Sequence, residues 1–298
     1  MLDSESGLMR FFRGIGMESI AWALRRLHCP VAPDALVLEV GSGGNPYARA
    51  NVLLDAYEET RERHWAPLIA DRPLVLGFVE DLPFRDHAFD FVIASHVLEH
   101  SARPERFLAE LQRVARAGYI ETPDAFMERI NPYRDHRLEV TTRDGRLVIR
   151  KKTAWRADET VVELYEHTAK PLIASQLIPR HPFEFHVRRY WENRIEFTIV
   201  NPHDAADWQA PGGVAGSAHG AAGSAGVKGA ILNTLRNLLS QHKRNRALDL
   251  IPLLRCPTCH ATAITNAGDH YKCSACKVAY PVKTGVPVMH PAGPATGV

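Results

Sequence analysis

At 298 residues, with 45% hydrophobic and 23% charged side chains, the chain has room for about two domains with buried cores, which excludes a disordered, collagenous or coiled-coil protein. A formal net charge of +2 argues against a polybasic nucleic-acid binder held mainly by phosphate neutralisation, though not against a local basic patch. No run reaches the ~18 apolar residues of a membrane span, the first residues are acidic where a secretion signal is basic and then apolar, and four of five cysteines crowd towards the C-terminal end; a cytoplasmic protein is expected.

Taken in chain order, Leu8, Phe11, Phe12 and Ile15, then Ile20, Ala23, Leu24 and Leu27, have helical spacing. The phase changes at Gly14 and Gly16, which predicts two short helices. They read either as packing on the following sheet or, with Arg13, Arg25 and Arg26 nearby, as a membrane-surface segment. Short apolar runs predict buried parallel strands over 35–40, 51–55, 74–79, 89–95 and 118–122, with a helix over 104–115. Alternation around Asp144-Gly145 predicts a hairpin of 137–142 with 146–150, a helical stretch covers 158–177, and 183–188 with 195–200 reads as a second hairpin. From 209 to 229 the chain is almost only Gly, Ala, Ser and Pro, a flexible linker. The expected domains are therefore 1–208, with an insertion over about 137–180, and 230–298.

The run Leu38-Glu-Val-Gly-Ser-Gly-Gly-Asn-Pro46 leaves the first strand through glycines, at the strand end where open α/β sheets bind ligands. A dinucleotide fingerprint would need a third glycine where Pro46 stands, and Asp55 comes too early for its acidic residue, so a nicotinamide cofactor is disfavoured. The run instead resembles motif I of the class I S-adenosylmethionine-dependent methyltransferases. The resemblance continues through Glu80-Asp-Leu-Pro-Phe84, Phe89 to His100, and Leu111-Gln-Arg-Val114, covering about residues 36–123.

That resemblance implies a Rossmann-like α/β fold, a mostly parallel sheet with an antiparallel end hairpin, and S-adenosylmethionine as cofactor. It implies that Glu39 orders the methionine end, that the Gly41, Ser42 and Gly43 backbone packs on the cofactor, and that Asp55 accepts both ribose hydroxyls; an acidic cap at a strand end is the other reading of Asp55. The acid that meets the adenine amino group in the family aligns with Phe78, which cannot accept a hydrogen bond. Glu80 or Asp81 is expected to replace it, with Leu82 against the ring, and Ser95 is placed beside the methyl group. His96 reads either as a general base, its ordinary pKa lying near neutrality, or as a side chain that only shapes the pocket. Tyr133, Arg134 and His136 are candidates to line the acceptor site, while His181, His186, Arg188, Arg189, Tyr190 and Trp191 mix aromatic and basic character, which serves RNA stacking, sugar recognition or, most commonly, a solvated hairpin.

Cys256-Pro-Thr-Cys259 and Cys273-Ser-Ala-Cys276 form two C-x2-C pairs, the pattern of a closed four-sulfur zinc site, with disulfides as the alternative. With the surrounding Tyr-Pro and Gly-Val-Pro-Val elements, residues 247–290 resemble the zinc-ribbon family of tRNA-methyltransferase activator subunits, which implies a ribbon that docks on the sheet of its own or a neighbouring subunit. The function expected is methyl transfer to an O, N or C nucleophile of an RNA, protein, glycan or small molecule. The competing reading is a non-catalytic scaffold acting through its ribbon.

Overall fold

The structure is a computed structural model that describes residues 2–60, 67–130, 132–209, 234 and 240–291. The expected linker lies, apart from Gln209, outside the described residues. Contacts divide the chain into two compact units, one of Met1–Pro30, Ala94–Pro104 and Tyr119–Arg236, the other of Val31–Ile93, Glu105–Gly118 and Asn237–Val298.

The strands that build the central sheet are β1 (Val37–Val40), β2 (Val52–Asp55), β3 (Leu74–Leu76), β4 (Phe91–Ser95), β5 (Ala117–Pro123) and β8 (His186–Glu192). Their order is β3-β2-β1-β4-β5-β8, with β1–β2 and β2–β3 parallel. Every residue of β1 through β4 is buried, as the continuous apolar runs require. The order reverses at β1, the switch point at which open sheets form a ligand crevice beyond the strand ends. β3 stops short of the expected 79, and the chain turns into a short 3-10 segment, Val79–Asp81. The turn passes closely at Gly77, where a Cβ would lie 3.1 Å from Pro83 and 3.4 Å from Leu54.

In the unit containing Val31–Ile93, helix α3 (Pro104–Val114) contributes its Glu105–Val114 part. The C-terminal ribbon forms a four-stranded sheet from β10 (Ile264–Asn266), β11 (His270–Cys273), β12 (Ala279–Lys283) and β13 (Val286–Pro287), paired antiparallel in that order. It docks by main-chain bonds at two places. Val288 bridges in parallel to Leu76 on β3, and the Met289 amide donates to the Leu76 carbonyl at 2.7 Å. Phe84 bridges antiparallel to Leu254, with Arg85 N–H to Leu253 C=O at 2.8 Å and Arg255 N–H to Pro83 C=O at 3.0 Å. The Arg85 guanidinium adds bonds to the Leu254 and Thr262 carbonyls. Leu254 and Met289 are fully buried, each contributing about 1.5–3 kcal/mol of apolar burial. Before the ribbon, the helix His242–Arg246 presents Asn245, whose side-chain oxygen accepts from buried Asn51 Nδ2 at 2.8 Å. The sheet edge at β3, which would otherwise expose unpaired backbone groups, is thus covered by the chain's own C-terminal segment.

The other unit opens with α1 (Gly7–Gly14) and α2 (Glu18–Leu24), separated by Gly16 at φ 75°, where the phase change was expected. Met9 and Ala21 are buried while Leu8, Phe11 and Ile15 remain exposed. Strands β6 (Leu138–Arg143) and β7 (Arg146–Lys151) form the expected hairpin around Asp144-Gly145, both in left-handed backbone. The second expected hairpin does not form. β8 joins the six-stranded sheet, and β9 (Phe197–Ile199) pairs in parallel with β7. Alternation assigns faces, not partners, and the open edge of β7 takes the strand. The helical run from Glu159 is interrupted by π-type turns at Tyr165–Ala169 and Ile173–Leu177, around Pro171 and before Pro179, residues that cannot donate to the helical ladder. Among the described residues, no helix is long and apolar enough to cross a membrane.

Candidate functional site

The glycine loop after β1 is held open from both sides by buried acids. Gly41 (φ 64°) and Gly43 (φ 56°) take left-handed backbone, which side chains bearing a Cβ rarely adopt. Ser42 N–H donates to the Leu54 carbonyl at 3.2 Å, tying the loop to the end of β2. From there Asp55, 7% exposed, accepts from the Gly43 amide with one oxygen and from its neighbour Ala56 with the other, both at 2.9 Å. Glu39 accepts from the Tyr47 amide at 2.7 Å and fixes the far end of the loop. The Ser42 hydroxyl is buried with no hydrogen-bond partner among the described residues. A backbone cradle, a buried carboxylate at the end of β2 and an orphaned hydroxyl fit a polar ligand entering at this loop.

Beyond β3 the arrangement departs from expectation. Leu82 is fully buried, its amide donating to Glu110 at 2.7 Å, so it belongs to the core and lines no open surface. Asp81 is taken by Arg106 at 3.1 Å and faces the ribbon's His260 at 3.6 Å. The Glu80 carbonyl accepts from Arg106 at 2.6 Å, and its side chain is half-buried. The position of Phe78 is instead occupied by a cluster of rings. His290 stacks on Phe78 at 4.5 Å and 16°, and Tyr57 stands edge-on to both.

The unit containing Ala94–Pro104 carries a buried charge cluster around Glu121 on β5. Arg25 binds this fully buried carboxylate with two parallel bonds, Nε at 2.7 Å and Nη2 at 2.9 Å, the strong bidentate geometry. Ser95 Oγ donates to Glu121 at 3.0 Å and Tyr119 OH donates to its other oxygen. Arg25 is steadied in turn by the Trp22 carbonyl at 2.8 Å and the Trp22 ring at 3.5 Å. His96, in left-handed backbone (φ 58°), places Nε2 3.2 Å from Glu121 and Nδ1 3.4 Å from buried Glu99.

Two carboxylates against one guanidinium leave a negative charge, and the imidazole supplies the missing positive one. Burial alone would lower the His96 pKa; its contacts with Glu121 and Glu99 override this and raise it from 6.5 to about 9. Burial likewise pushes both carboxylates up, and His96, with Arg25 for Glu121, holds them below the usual range. A neutral, proton-accepting His96 is therefore scarce near neutrality. Because its folded pKa is raised, the stability it contributes is complete below 6.5 and is lost as pH rises through about 9. The melting temperature should fall across that window in the wild type and fall less in His96→Gln; parallel profiles would remove the cluster's claim on the proton.

The remaining aromatic and basic candidates are mostly engaged internally. His186, its pKa lowered first by burial and then by the charges of His96 and Arg25, stands edge-on to His96 at 5.5 Å. Arg188 bonds Tyr119 OH at 3.1 Å, Tyr190 packs on Tyr119 at 4.5 Å, and Trp191 is buried. His100 and His136 bond Asp135 C=O and Glu128, each at 3.0 Å.

In the ribbon, Cys256, Cys259, Cys273 and Cys276 carry no disulfide, and their sulfurs all lie within 4.8 Å of one another. The Cys256–Cys276 and Cys259–Cys273 separations are 3.6 Å. Four sulfurs held about 2.3 Å from a central ion in a tetrahedron would stand roughly 3.8 Å apart, so the donor set fits zinc. Both knuckles fold alike. His260 and Lys277, the residues following Cys259 and Cys276, donate back to the Cys256 and Cys273 carbonyls from left-handed backbone. The Tyr280 hydroxyl lies 3.0 Å from Cys256 Sγ, an outer contact that orients a thiolate.

The sheet order, the glycine loop and the acid ending β2 together define a mostly parallel α/β sheet with a loop-lined crevice at its switch point. Residues 38–120 match the family described as "Methyltransferase domain". An uncharacterised protein of Methanocaldococcus jannaschii is 28% identical over 86 residues, 29% of this chain and 42% of the relative, so the chain matches less than half the relative's length. Among solved structures, an S-adenosylmethionine-dependent methyltransferase of Thermotoga maritima is 20% identical, covering 44% of this chain and 68% of its own, with a TM-score of 0.32. A chain from the complex of the Haloferax volcanii Trm112 methyltransferase activator with a methyltransferase is 17% identical, covering 62% and 92%, with a TM-score of 0.35.

Proposed function

We propose that the protein is an S-adenosylmethionine-dependent methyltransferase, with residues 1–208 as the methyltransferase domain and 230–298 as a zinc ribbon that braces it. The observation that carries this reading is the glycine loop pinned by Asp55 and Glu39, a preformed cradle for a ligand with a sugar and a charged tail. The cofactor supplies a methyl group already activated on a sulfonium, so the protein's task is to bind, orient and exclude water. Asp55 holds the ribose hydroxyls, a role suited to a carboxylate with about four acceptor sites. Glu39 acts by fixing the loop rather than by touching the ligand. Ser42 contributes its buried hydroxyl.

His96 serves as a fixed positive charge whose two ring nitrogens face Glu99 and Glu121, and not as a general base. Ser95 acts as a positioning residue through Glu121. The acceptor then loses its proton to solvent, and a nucleophile with a low pKa or a neutral nitrogen is favoured over an unactivated alcohol. The four cysteines bind zinc, whose role is to fold the ribbon.

Calorimetry on the full chain tests the reading. Wild-type protein should bind S-adenosylmethionine, and Asp55→Ala should weaken it about 10–100-fold, the value of two charge-assisted hydrogen bonds partly replaced by water. Absence of binding by the wild type would refute it.

A further inference from the structure

Phe78 leaves an adenine amino group without the acidic acceptor that stands at this place in the methyltransferase family. The ribbon brings a replacement. Met289 is bonded to Leu76 on β3, and because the ribbon runs parallel to β3 there, the next residue, His290, comes level with the chain leaving that strand. Its ring lies flat on Phe78 at 4.5 Å, with Tyr57, two residues beyond Asp55, edge-on at 6.0 Å. Phe78 and His290 are both half-buried, so this ring cluster is not sealed inside the core.

The tautomer of His290 follows from its one polar contact among the described residues. Nε2 lies 2.9 Å from the Ala56 carbonyl, which can only accept. Nε2 therefore carries the proton and donates, which leaves the lone pair of the neutral ring on Nδ1. The ring is kept neutral first by burial and then by the charge of Lys283, which together outweigh the bond to Ala56 and lower its pKa. A neutral imidazole fixed with Nδ1 as an acceptor has the polarity that an exocyclic amine requires. Asp81 is a poorer replacement, since Arg106 engages its carboxylate.

We propose that His290 of the zinc ribbon is the adenine-reading residue of the cofactor site, accepting the exocyclic amino group at Nδ1 while Phe78 and Tyr57 wall the ring. The proposal rests on the cofactor reading given above. It makes the ribbon a part of the binding site and links zinc occupancy to cofactor affinity.

The test compares S-adenosylhomocysteine with S-inosylhomocysteine, in which an oxo group replaces the amine, by calorimetry on the full-length zinc-loaded protein. Wild type should prefer the adenosyl ligand by about tenfold or more, the worth of one hydrogen bond exchanged for a facing pair of acceptors. His290→Phe keeps the ring stack and should lose the preference, weakening the adenosyl ligand while leaving the inosyl ligand unchanged. Preference retained in His290→Phe and His290→Ala would overturn the role of His290 and leave the cofactor reading standing. Failure of wild type to bind either ligand would overturn the cofactor reading and the proposal with it. Nitrogen-15 shifts of wild-type His290 give a check that needs no folded variant: Nδ1 should move with the adenosyl ligand and not with the inosyl one, and an unmoved Nδ1 in saturated protein contradicts the proposal.

Discussion

Glu121→Ala is expected to destabilise its unit by about 3–5 kcal/mol, the usual consequence of stranding a buried ion by removing its partner. Glu121 is fully buried and Arg25 is 9% exposed. The carboxylate takes two bonds from Arg25 and one each from Ser95 and Tyr119, so its removal strips all of these donors of a charged acceptor at once. The imidazolium of His96 would lose one of its two counter-charges as well, so its pKa should fall from about 9 towards the ordinary value. Urea unfolding followed by the histidine proton resonances reads both effects. Glu121→Gln, which keeps the shape and some of the bonds, should lose less stability but shift the histidine as far. A loss below about 1 kcal/mol for the alanine variant would mean that water reaches the cluster and pairs with Arg25.

The second large effect belongs to the ribbon. Cys273→Ser, or removal of metal by a chelator, should unfold residues 251–290, because binding of a structural zinc supplies roughly 10–16 kcal/mol to sheets this small. The damage should spread. Without the ribbon, β3 loses its neighbour at Leu76, and the 83–85 segment loses its main-chain bonds to Leu253 and Arg255. Hydrogen exchange reads this directly: the Arg85 amide, bonded to the Leu253 carbonyl, should lose protection on chelation, and the melting temperature of the sheet should drop. Protection unchanged at Arg85 would show that the ribbon's zinc and its docking are independent.

The features legible in the sequence are those whose cause is local. The buried strands announce themselves as apolar runs, the glycine loop by residues that must take left-handed backbone, and the sulfur cluster by two identical knuckles. Where partners are distant, the sequence is silent. Arg25 lies 96 residues from Glu121 and reads equally well as a basic residue on a surface helix. Alternation over 183–200 marks two strands but cannot say that one joins β5 and the other β7. Asp81 and Leu82 sit next to the expected adenine position, yet an ion pair to Arg106 withdraws the first and core packing claims the second. His290, more than two hundred residues from Phe78, carries no local signal at all; only the docking of the ribbon on β3 brings the rings together.

What the loop after β1 holds is the central question for this molecule. A crystal structure of the full chain grown with S-adenosylhomocysteine decides it. The ribose hydroxyls are expected on the carboxylate of Asp55, with the Gly41–Gly43 backbone against the ligand's amino-acid end. A sugar bound away from Asp55, or a loop closed on itself in crystals saturated with the ligand, would contradict it.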